Sequence, residues 1–129
     1  MRFIKDDEFI RGNCPMTKED VRILSVAKLE LEDSYRVIDI GAGTGSVSVQ
    51  IALICKKGQV IAIEKDEDAL EILKQNKEKF KTSNLEIIND QAMEIQANIT
   101  GEFDAIFVGG SGGNISDIIK KYGDKLKKG

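Results

Sequence analysis

The 129-residue chain contains no histidine, no tryptophan, a single proline and only two cysteines. Because histidine is the usual proton shuttle of enzymes, any acid–base chemistry here must use carboxylates, lysines, tyrosines, thiols or the substrate itself. Cys14 and Cys55 lack the spacing of metal ligands, and the chain offers no histidine to complete a zinc site. The sequence therefore predicts two reduced thiols, with neither a zinc site nor a disulfide scaffold.

The chain also lacks a long hydrophobic run and an excess of positive charge. Its apolar stretches are too short to span a bilayer and the charged residues 1–8 do not resemble a signal peptide, so we expect a cytoplasmic protein with no membrane partner. The net charge of −3 disfavours a general nucleic-acid binder. With 41% hydrophobic and 5% aromatic residues, the composition is typical of one small α/β domain.

The most informative stretch is a short β-branched run, Val37–Ile40, that breaks into a turn containing Gly41, Gly43 and Gly45. Glycine can adopt positive φ and has no Cβ, so the backbone of such a turn can approach a ligand closely. The amides at the start of the following helix then point at that ligand. The pattern predicts a nucleotide-type cofactor site, and a tight turn without a ligand is the alternative.

The glycine spacing separates this site from a dinucleotide fingerprint. That fingerprint reads G-x-G-x-x-G, whereas here the third glycine comes one residue earlier and an acid, Asp39, lies inside the strand. A second apolar run, Val60–Ile63, ends in Glu64 about 20 residues beyond the turn, where an acid can accept hydrogen bonds from ribose hydroxyls. The alternative for Glu64 is an ordinary acid at the start of a solvated helix.

These features resemble motif I of the class I S-adenosylmethionine (SAM) methyltransferases. The resemblance implies SAM as the cofactor, with Asp39 and the loop amides of residues 41–45 facing the amino and carboxylate groups of its methionine part. It also implies the Rossmann-like, doubly wound parallel sheet of that family. The right-handed crossovers of such a sheet favour the strand order three, two, one, four.

Hydrophobic periodicity predicts an alternation of helices and strands. Thr17 is the expected N-cap of the first helix, with Asp20 three residues further on. Residues 1–33 are then an N-terminal segment and helix covering the site, and residues 34–129 the nucleotide-binding core of a single domain. The predicted elements are helices at about 18–31, 46–55 and 67–80, strands at 36–40, 60–63, 85–88 and 103–108, a looser helical stretch at 92–97, and a last helix from about 115.

Three separated stretches narrow the resemblance. Phe103–Gly113, Gly12–Arg22 and Asp39–Gln50 are similar to the precorrin-6B carbon-15 methyltransferase (decarboxylating) family of cobalamin biosynthesis. The chain has neither the Asp/Asn-Pro-Pro-Tyr/Phe loop of nucleobase-amine methyltransferases nor the Pro-Cys nucleophile of the cytosine-carbon enzymes. The resemblance implies methyl transfer from SAM to carbon 15 of (cobalt-)precorrin-6B, a tetrapyrrole, with decarboxylation of its acetate side chain. It also implies a homo-oligomer.

The resemblance further implies where the cofactor lies. Glu64 holds the ribose, Ala92 lies near the adenine, and Thr17 meets the cofactor, although a simple helix cap is its alternative role. The family often reads Gly-Asp-Ala at the adenine end, where this chain has Asp90 and Gln91 before Ala92, so either side chain could contact the adenine. The expected cofactor-binding residues are Thr17, Asp39, Gly41, Ala42, Gly43, Thr44, Gly45, Glu64, Gln91 and Ala92.

A tetrapyrrole carries several carboxylates while this chain is acidic overall, so we expect attraction to be local. Cationic side chains flank the Pro15–Thr17 stretch, and the free amides of residues 110–114 at the start of the last helix suit an anion. A plain strand-to-helix connection is the alternative for that glycine-rich loop. No catalytic side chain and no metal are assigned, because SAM carries an activated methyl group and the enzyme mainly positions it. The expected substrate-binding residues are Arg11, Pro15, Met16, Lys18, Gly110, Ser111, Gly112 and Gly113.

The final residues, Leu126–Gly129, resemble the turn that precedes a fifth strand in class I methyltransferases. We therefore expect a domain without its C-terminal strands that binds SAM weakly and catalyses poorly. Two other function classes stay open at this point. One is a SAM methyltransferase for another small molecule or for RNA, and the other is a non-catalytic binding module.

Overall fold

Within the residues that the structure describes, four parallel strands form the sheet that carries the site. The computed structural model describes residues 3–89 and 102–109. The strands are β1 (Arg36–Ile40), β2 (Gln59–Glu64), β3 (Leu85–Asn89) and β4 (Ala105–Val108), in the order β3-β2-β1-β4. The register pairs Asp39 with Ala62 on one side and with Phe107 on the other. The predicted strand order is confirmed, and it brings the carboxyl ends of β1, β2 and β4 to one edge of the sheet.

The described part of the chain contains three α-helices, which pack in one layer. They are α1 (Glu19–Lys28), α2 (Ser46–Ile54) and α3 (Glu67–Lys79), and α2 contacts both of the others. Residues Ser46–Ala52 of α2 are all buried, as its near-continuous apolar sequence predicts. In α3 the buried side includes Leu73, whereas most of its lysines and glutamates are exposed. The charged run of α3 is therefore a solvated helix face.

Side chains of the two central strands alternate between two hydrophobic clusters. Val37 and Val60 belong to the cluster that also holds residues of the three helices. Ile38 and Ile61 belong to the second cluster. This alternation follows from the pleat of a strand, and burial on both faces explains why the strands are continuous apolar runs in the sequence. Asp39 shares the face of Val37 and therefore meets the helix layer.

The start of α1 differs from the prediction. Lys18, and not Thr17, is the N-cap residue. The backbone N–H of Glu19 donates to Asp6 Oδ2 at 3.1 Å, so the acceptor comes from 13 residues earlier in the chain. The Thr17 carbonyl accepts a hydrogen bond from Arg22 Nη1 at 3.1 Å. The prediction of Thr17 as the helix cap is wrong, because the carboxylate of the distant Asp6, and not the side chain of the neighbouring Thr17, accepts the hydrogen bond from the helix start.

Residues 3–17, which we call the N-terminal segment, are packed against the helices. The segment contains one short 3-10 helix at Asp6–Glu8. Ile4 and Phe9 are buried in the cluster of the helix layer. The ring of Phe9 lies 5.1 Å from that of Phe80, and the Arg22 guanidinium lies 4.8 Å from the Phe9 centroid. The segment thus contributes to the core.

The other element boundaries lie within two residues of the prediction, except at α1, which ends at Lys28. The largest difference at a strand is in β4, which begins at Ala105, while Phe103 is a buried member of the second cluster. The predicted helical stretch at 92–97 and the last helix fall outside the described residues. Within residues 3–89 and 102–109, no helix has the length and apolar character needed to cross a membrane.

Candidate cofactor-binding site

A cavity of about 430 Å³ opens at the carboxyl ends of β1, β2 and β4. Ligands of open parallel sheets bind in this place, because the loops that follow the strands leave a crevice there. Four parts of the chain line it: the glycine turn after β1 with the start of α2, the end of β2 with the start of α3, residues 14–17 of the N-terminal segment, and the end of β4 with Gly109. Each wall therefore comes from a different part of the sequence.

The glycines of the turn have different structural roles. Gly41, Gly43 and Gly45 all have positive φ, at 72°, 59° and 84°. A Cβ at Gly45 would lie 2.3 Å from Leu73 Cδ1, so this glycine permits close packing of the turn on α3. A Cβ at Gly43 would meet nothing nearer than the Pro15 carbonyl oxygen, at 4.0 Å. Since Gly43 lines the cavity, that Cβ would occupy ligand space.

Glu64 joins the end of β2 to the glycine turn. Its Oε1 accepts from the Gly43 N–H at 2.7 Å. Its Oε2 accepts from the backbone N–H groups of Lys65 and Asp66, at 2.9 and 3.0 Å. Three backbone donors therefore fix this carboxylate at the edge of the cavity, and they also fix the turn relative to β2.

Asp39 is the buried acid of the site. It lines the cavity, although only 1% of its surface is exposed. Its Oδ2 accepts from the hydroxyl of Ser48 on α2. Its Oδ1 is buried and has no hydrogen-bond partner among the described residues. A buried carboxylate oxygen without a partner costs free energy, and a ligand donor in the cavity would remove that cost.

The electrostatics of Asp39 follow from this position. Burial raises the pKa of Asp39 from 3.8 to about 7, because the charged form loses its hydration. The Ser48 hydroxyl lowers this pKa by donating to the carboxylate, and the negative charge of Glu64 raises it further. A cation bound beside Oδ1 would favour the ionised form.

Comparison with known proteins identifies the family of this domain. The profile of the precorrin methyltransferase domain matches residues 8–129. The chain belongs to this family. A probable cobalt-precorrin-6B C(15)-methyltransferase (decarboxylating) of Sulfurisphaera tokodaii is 48% identical over 128 residues, which are 98% of this chain and 66% of that protein. The precorrin methyltransferase domain described here thus spans slightly less than two thirds of that relative's length.

Solved structures agree with the precorrin methyltransferase fold. The precorrin-6y C5,15-methyltransferase of Geobacter metallireducens superposes with a TM-score of 0.91 at 33% identity, over 98% of this chain and 66% of that one. A coclaurine N-methyltransferase solved with N-methylheliamine and S-adenosylhomocysteine (SAH) superposes with a TM-score of 0.70, over 92% of this chain and 38% of that one. At 18% identity, the second likeness shows the shared fold alone.

Most of the sequence-predicted cofactor residues in the described part of this precorrin methyltransferase domain lie around the one cavity. Gly45 is the exception, because it packs against α3. Gln91 and Ala92 lie outside the described residues, as does Asp90. The predicted residues that line the cavity are Thr17, Asp39, Gly41, Ala42, Gly43, Thr44 and Glu64.

The predicted substrate residues divide into three groups. Pro15 and Met16 line the cavity. Arg11 and Lys18 lie outside its lining, and Arg11 is exposed, with its Nε donating to the Cys14 carbonyl at 3.2 Å. Arg11 borders a neighbouring depression that shares Cys14 and Pro15 with the cavity. The predicted residues Gly110, Ser111, Gly112 and Gly113 lie outside the described residues.

Several residues that line the cavity are absent from the set predicted from the sequence. Gly109 follows β4, its N–H donates to the Ile40 carbonyl at 2.8 Å, and a Cβ there would lie 3.1 Å from the Gly41 oxygen. The predicted strand order was the available signal, because it places the residue after β4 beside the turn after β1. The residues absent from the predicted set are Cys14, Ser46, Val47, Asp66, Ala69, Phe107 and Gly109.

Proposed function

We propose that this precorrin methyltransferase domain binds SAM in the cavity and methylates carbon 15 of (cobalt-)precorrin-6B, with decarboxylation of the acetate side chain. The observation that carries the proposal is the pair of acids, Asp39 and Glu64, on adjacent strands around one cavity. The activity for which the Sulfurisphaera relative is named supports this choice of substrate.

Two features of the cavity fit SAM. The unpartnered Asp39 Oδ1 is an acceptor for the ammonium group of the methionine part. Gly43 leaves space that any Cβ would fill, so a ligand can pass close to its backbone. Bound SAM supplies a methyl group activated by the sulfonium, and the residues of the cavity orient it.

The hydrogen bonds of Glu64 limit how it would hold a ribose. A carboxylate offers about four acceptor positions, and three backbone N–H groups already use part of that capacity. Oε2 accepts twice, whereas Oε1 accepts only from Gly43. We infer that Oε1 receives one ribose hydroxyl, and that a second bond requires Gly43 N–H to shift. Ribose binding and the position of the glycine turn are then coupled.

The proposed reaction needs no protein nucleophile. Bound SAM, held by Asp39 and Glu64, would supply the methyl group with its sulfur as the leaving group, and a ring carbon of the substrate would supply the electron pair. Loss of carbon dioxide would return an electron pair to the ring, and a proton from solvent would complete the methyl group left in place of the acetate. The work of the protein is alignment, and such positioning can supply up to about 7–11 kcal/mol.

The tetrapyrrole carboxylates require cationic groups outside the cofactor cavity. Arg11 fits this part, because the depression it borders has a volume of about 510 Å³ and shares Pro15 with the cavity. A ring held there would lie beside the cofactor. Lys18 offers a second cationic group, at the other end of the Pro15–Thr17 stretch. Replacing Arg11 with Ala should therefore raise KM for the tetrapyrrole while leaving SAH affinity unchanged.

The test uses the chain with SAM labelled in its methyl group and cobalt-precorrin-6B. We expect label in the tetrapyrrole and an equal amount of released carbon dioxide. Glu64→Gln should weaken SAH binding by about tenfold or more, because the amide of Gln cannot accept on both sides as the carboxylate does. Glu67→Gln is the matched control, since Glu67 is exposed in the first turn of α3.

Two outcomes contradict the proposal in different ways. Tight SAH binding without label transfer to the tetrapyrrole would favour a binding module or a different acceptor. Equal SAH affinity of the unmodified chain and Glu64→Gln would place the cofactor elsewhere.

The cytoplasm is the proposed compartment, which suits the free thiols of Cys14 and Cys55. The homo-oligomer implied by the family resemblance stays a prediction that sedimentation velocity would test.

A further inference from the structure

Asn76 of α3 connects two walls of the cavity by hydrogen bonds, although it does not line the cavity itself. The side chain is fully buried, with 0% of its surface exposed. Its Nδ2 donates to the Thr44 carbonyl and to the Ile10 carbonyl, both at 2.8 Å. Its Oδ1 accepts from the Ile10 N–H at 2.8 Å. One side chain thus holds the glycine turn through Thr44 and the N-terminal segment through Ile10.

Both ends of this link lead to the cavity. Thr44 itself lines it, and the next residue, Gly45, is pressed against Leu73, one helical turn from Asn76. On the other side, Ile10 lies four residues before Cys14, where the N-terminal segment begins to line the cavity. The separation of the two walls therefore depends on a residue that the cavity lining does not include.

The rest of the N-terminal segment is held in the same manner. Gln50 of α2 accepts from the Ile4 N–H at 2.9 Å. The buried Arg22 of α1 donates to the Ile4 carbonyl, and also to the Thr17 carbonyl at 3.1 Å. Each helix of the layer thus gives one buried polar side chain to the backbone of this segment. Asn76 differs in that its amide nitrogen also reaches the glycine turn.

We propose that Asn76 is a positioning residue that couples the N-terminal segment to the glycine turn and so sets the width of the cofactor cavity. The inference rests on the proposed function for the ligand it names. It follows that ligand binding to the turn tightens the hydrogen bonds at Ile10. The N-terminal segment, which forms one wall of the cavity, is then more ordered when the cofactor is bound.

Asn76→Ala is the direct test, and Asn84→Ala is its matched control. Asn84 Nδ2 also donates to two backbone carbonyls, those of Ala52 and Cys55, at 3.1 and 2.9 Å, at the far end of α2. Both variants lose side-chain hydrogen bonds and stability. We expect SAH affinity, measured by titration calorimetry where each variant is folded, to fall about tenfold in Asn76→Ala alone. Equal losses in both variants would overturn the proposal.

Hydrogen exchange on the unmodified chain provides a second measurement that carries no folding risk. Ile10 lies outside the cavity lining and its amide donates to Asn76 Oδ1, so we expect slower exchange of this amide on adding SAH. An Ile10 amide whose exchange rate does not change with SAH would overturn the proposal. Without any ligand, Asn76→Ala should speed exchange at both Ile10 and Gly43, whereas Asn84→Ala should leave both unchanged.

The ligand-free comparison also separates this proposal from the proposed function. If the unmodified chain binds no SAH, the proposed cofactor site fails. The coupling is then decided by the exchange rates alone. Faster exchange at Ile10 without any change at Gly43 in Asn76→Ala would overturn the coupling, whether or not SAH binds.

Discussion

Replacing Asp39 with Asn tests whether the fold keeps a protonated carboxyl at the cavity. Burial raises the pKa of Asp39 from 3.8 in the unfolded chain to about 7 in the folded one. A group whose pKa is raised by folding contributes stability that is complete below its unfolded pKa and is lost as the pH rises through its folded pKa. Each pH unit in that window is worth about 1.36 kcal/mol, so the free energy of unfolding should fall by on the order of 4 kcal/mol between about pH 4 and about pH 7.

Urea unfolding from about pH 4 to about pH 8 measures this loss. The Asn variant stays neutral at every pH, so subtracting its unfolding free energy from that of the unmodified chain removes the contribution of the other carboxylates. We expect the variant to become progressively more stable relative to the unmodified chain up to about pH 7 and to keep that gain above it. A difference that stays constant across the range would refute the reasoning.

Ser48→Ala is the second variant of this experiment. The Ser48 hydroxyl donates to Asp39 Oδ2 and lowers the pKa of that carboxyl, so its removal should shift the loss of stability to higher pH. Proton release on SAH binding provides a second measurement of the protonation of Asp39. A cation beside Oδ1 favours the ionised form, so SAH binding below about pH 7 should release a proton, and Asp39→Asn should abolish this release while weakening SAH binding.

Two further predictions concern the glycine turn and the thiols. Gly45→Ala should lower the free energy of unfolding by about 1–3 kcal/mol, because its φ is positive and its Cβ would meet Leu73. Gly43→Ala should instead cost more free energy of SAH binding than free energy of unfolding. Urea unfolding and calorimetry on both variants test this, and a loss of stability that is larger in Gly43→Ala than in Gly45→Ala would contradict it. A maleimide should label Cys14, which lines the cavity, and SAH should slow that labelling. Cys55 should stay unlabelled in the folded chain, because burial raises its pKa to about 11. Labelling of Cys55 at the rate of Cys14 would contradict this prediction.

The strands and the acids of the site could be predicted because each depends on a short stretch of sequence. Val37–Ile40 and Val60–Ile63 are apolar runs of strand length, and the strand order follows from the connections of a parallel sheet. With the order known, Asp39 and Glu64 must lie at one edge. Gly109 lines the cavity for the same topological reason, although the set of residues predicted from the sequence does not include it.

The N-terminal segment could not be predicted in the same way, since its contacts are long-range. The Glu19 amide finds its acceptor in Asp6, although a local capping pattern assigns Thr17. Asn76 bonds to Ile10, 66 residues away. No periodicity links such pairs, because each bond depends on how two packed elements meet in space.

Polar residues inside apolar patterns mark where such contacts must exist. The sequence predicts that α2 is deeply buried, yet Ser48 and Gln50 lie in it and both are fully buried. Since buried polar groups need hydrogen-bond partners, the sequence pattern by itself requires a partner for each of them. Ser48 finds the site acid, and Gln50 finds the backbone of Ile4. The sequence thus specifies that Ser48 and Gln50 each need a partner, while only the fold decides that Ser48 serves the cofactor cavity and Gln50 the segment that encloses it.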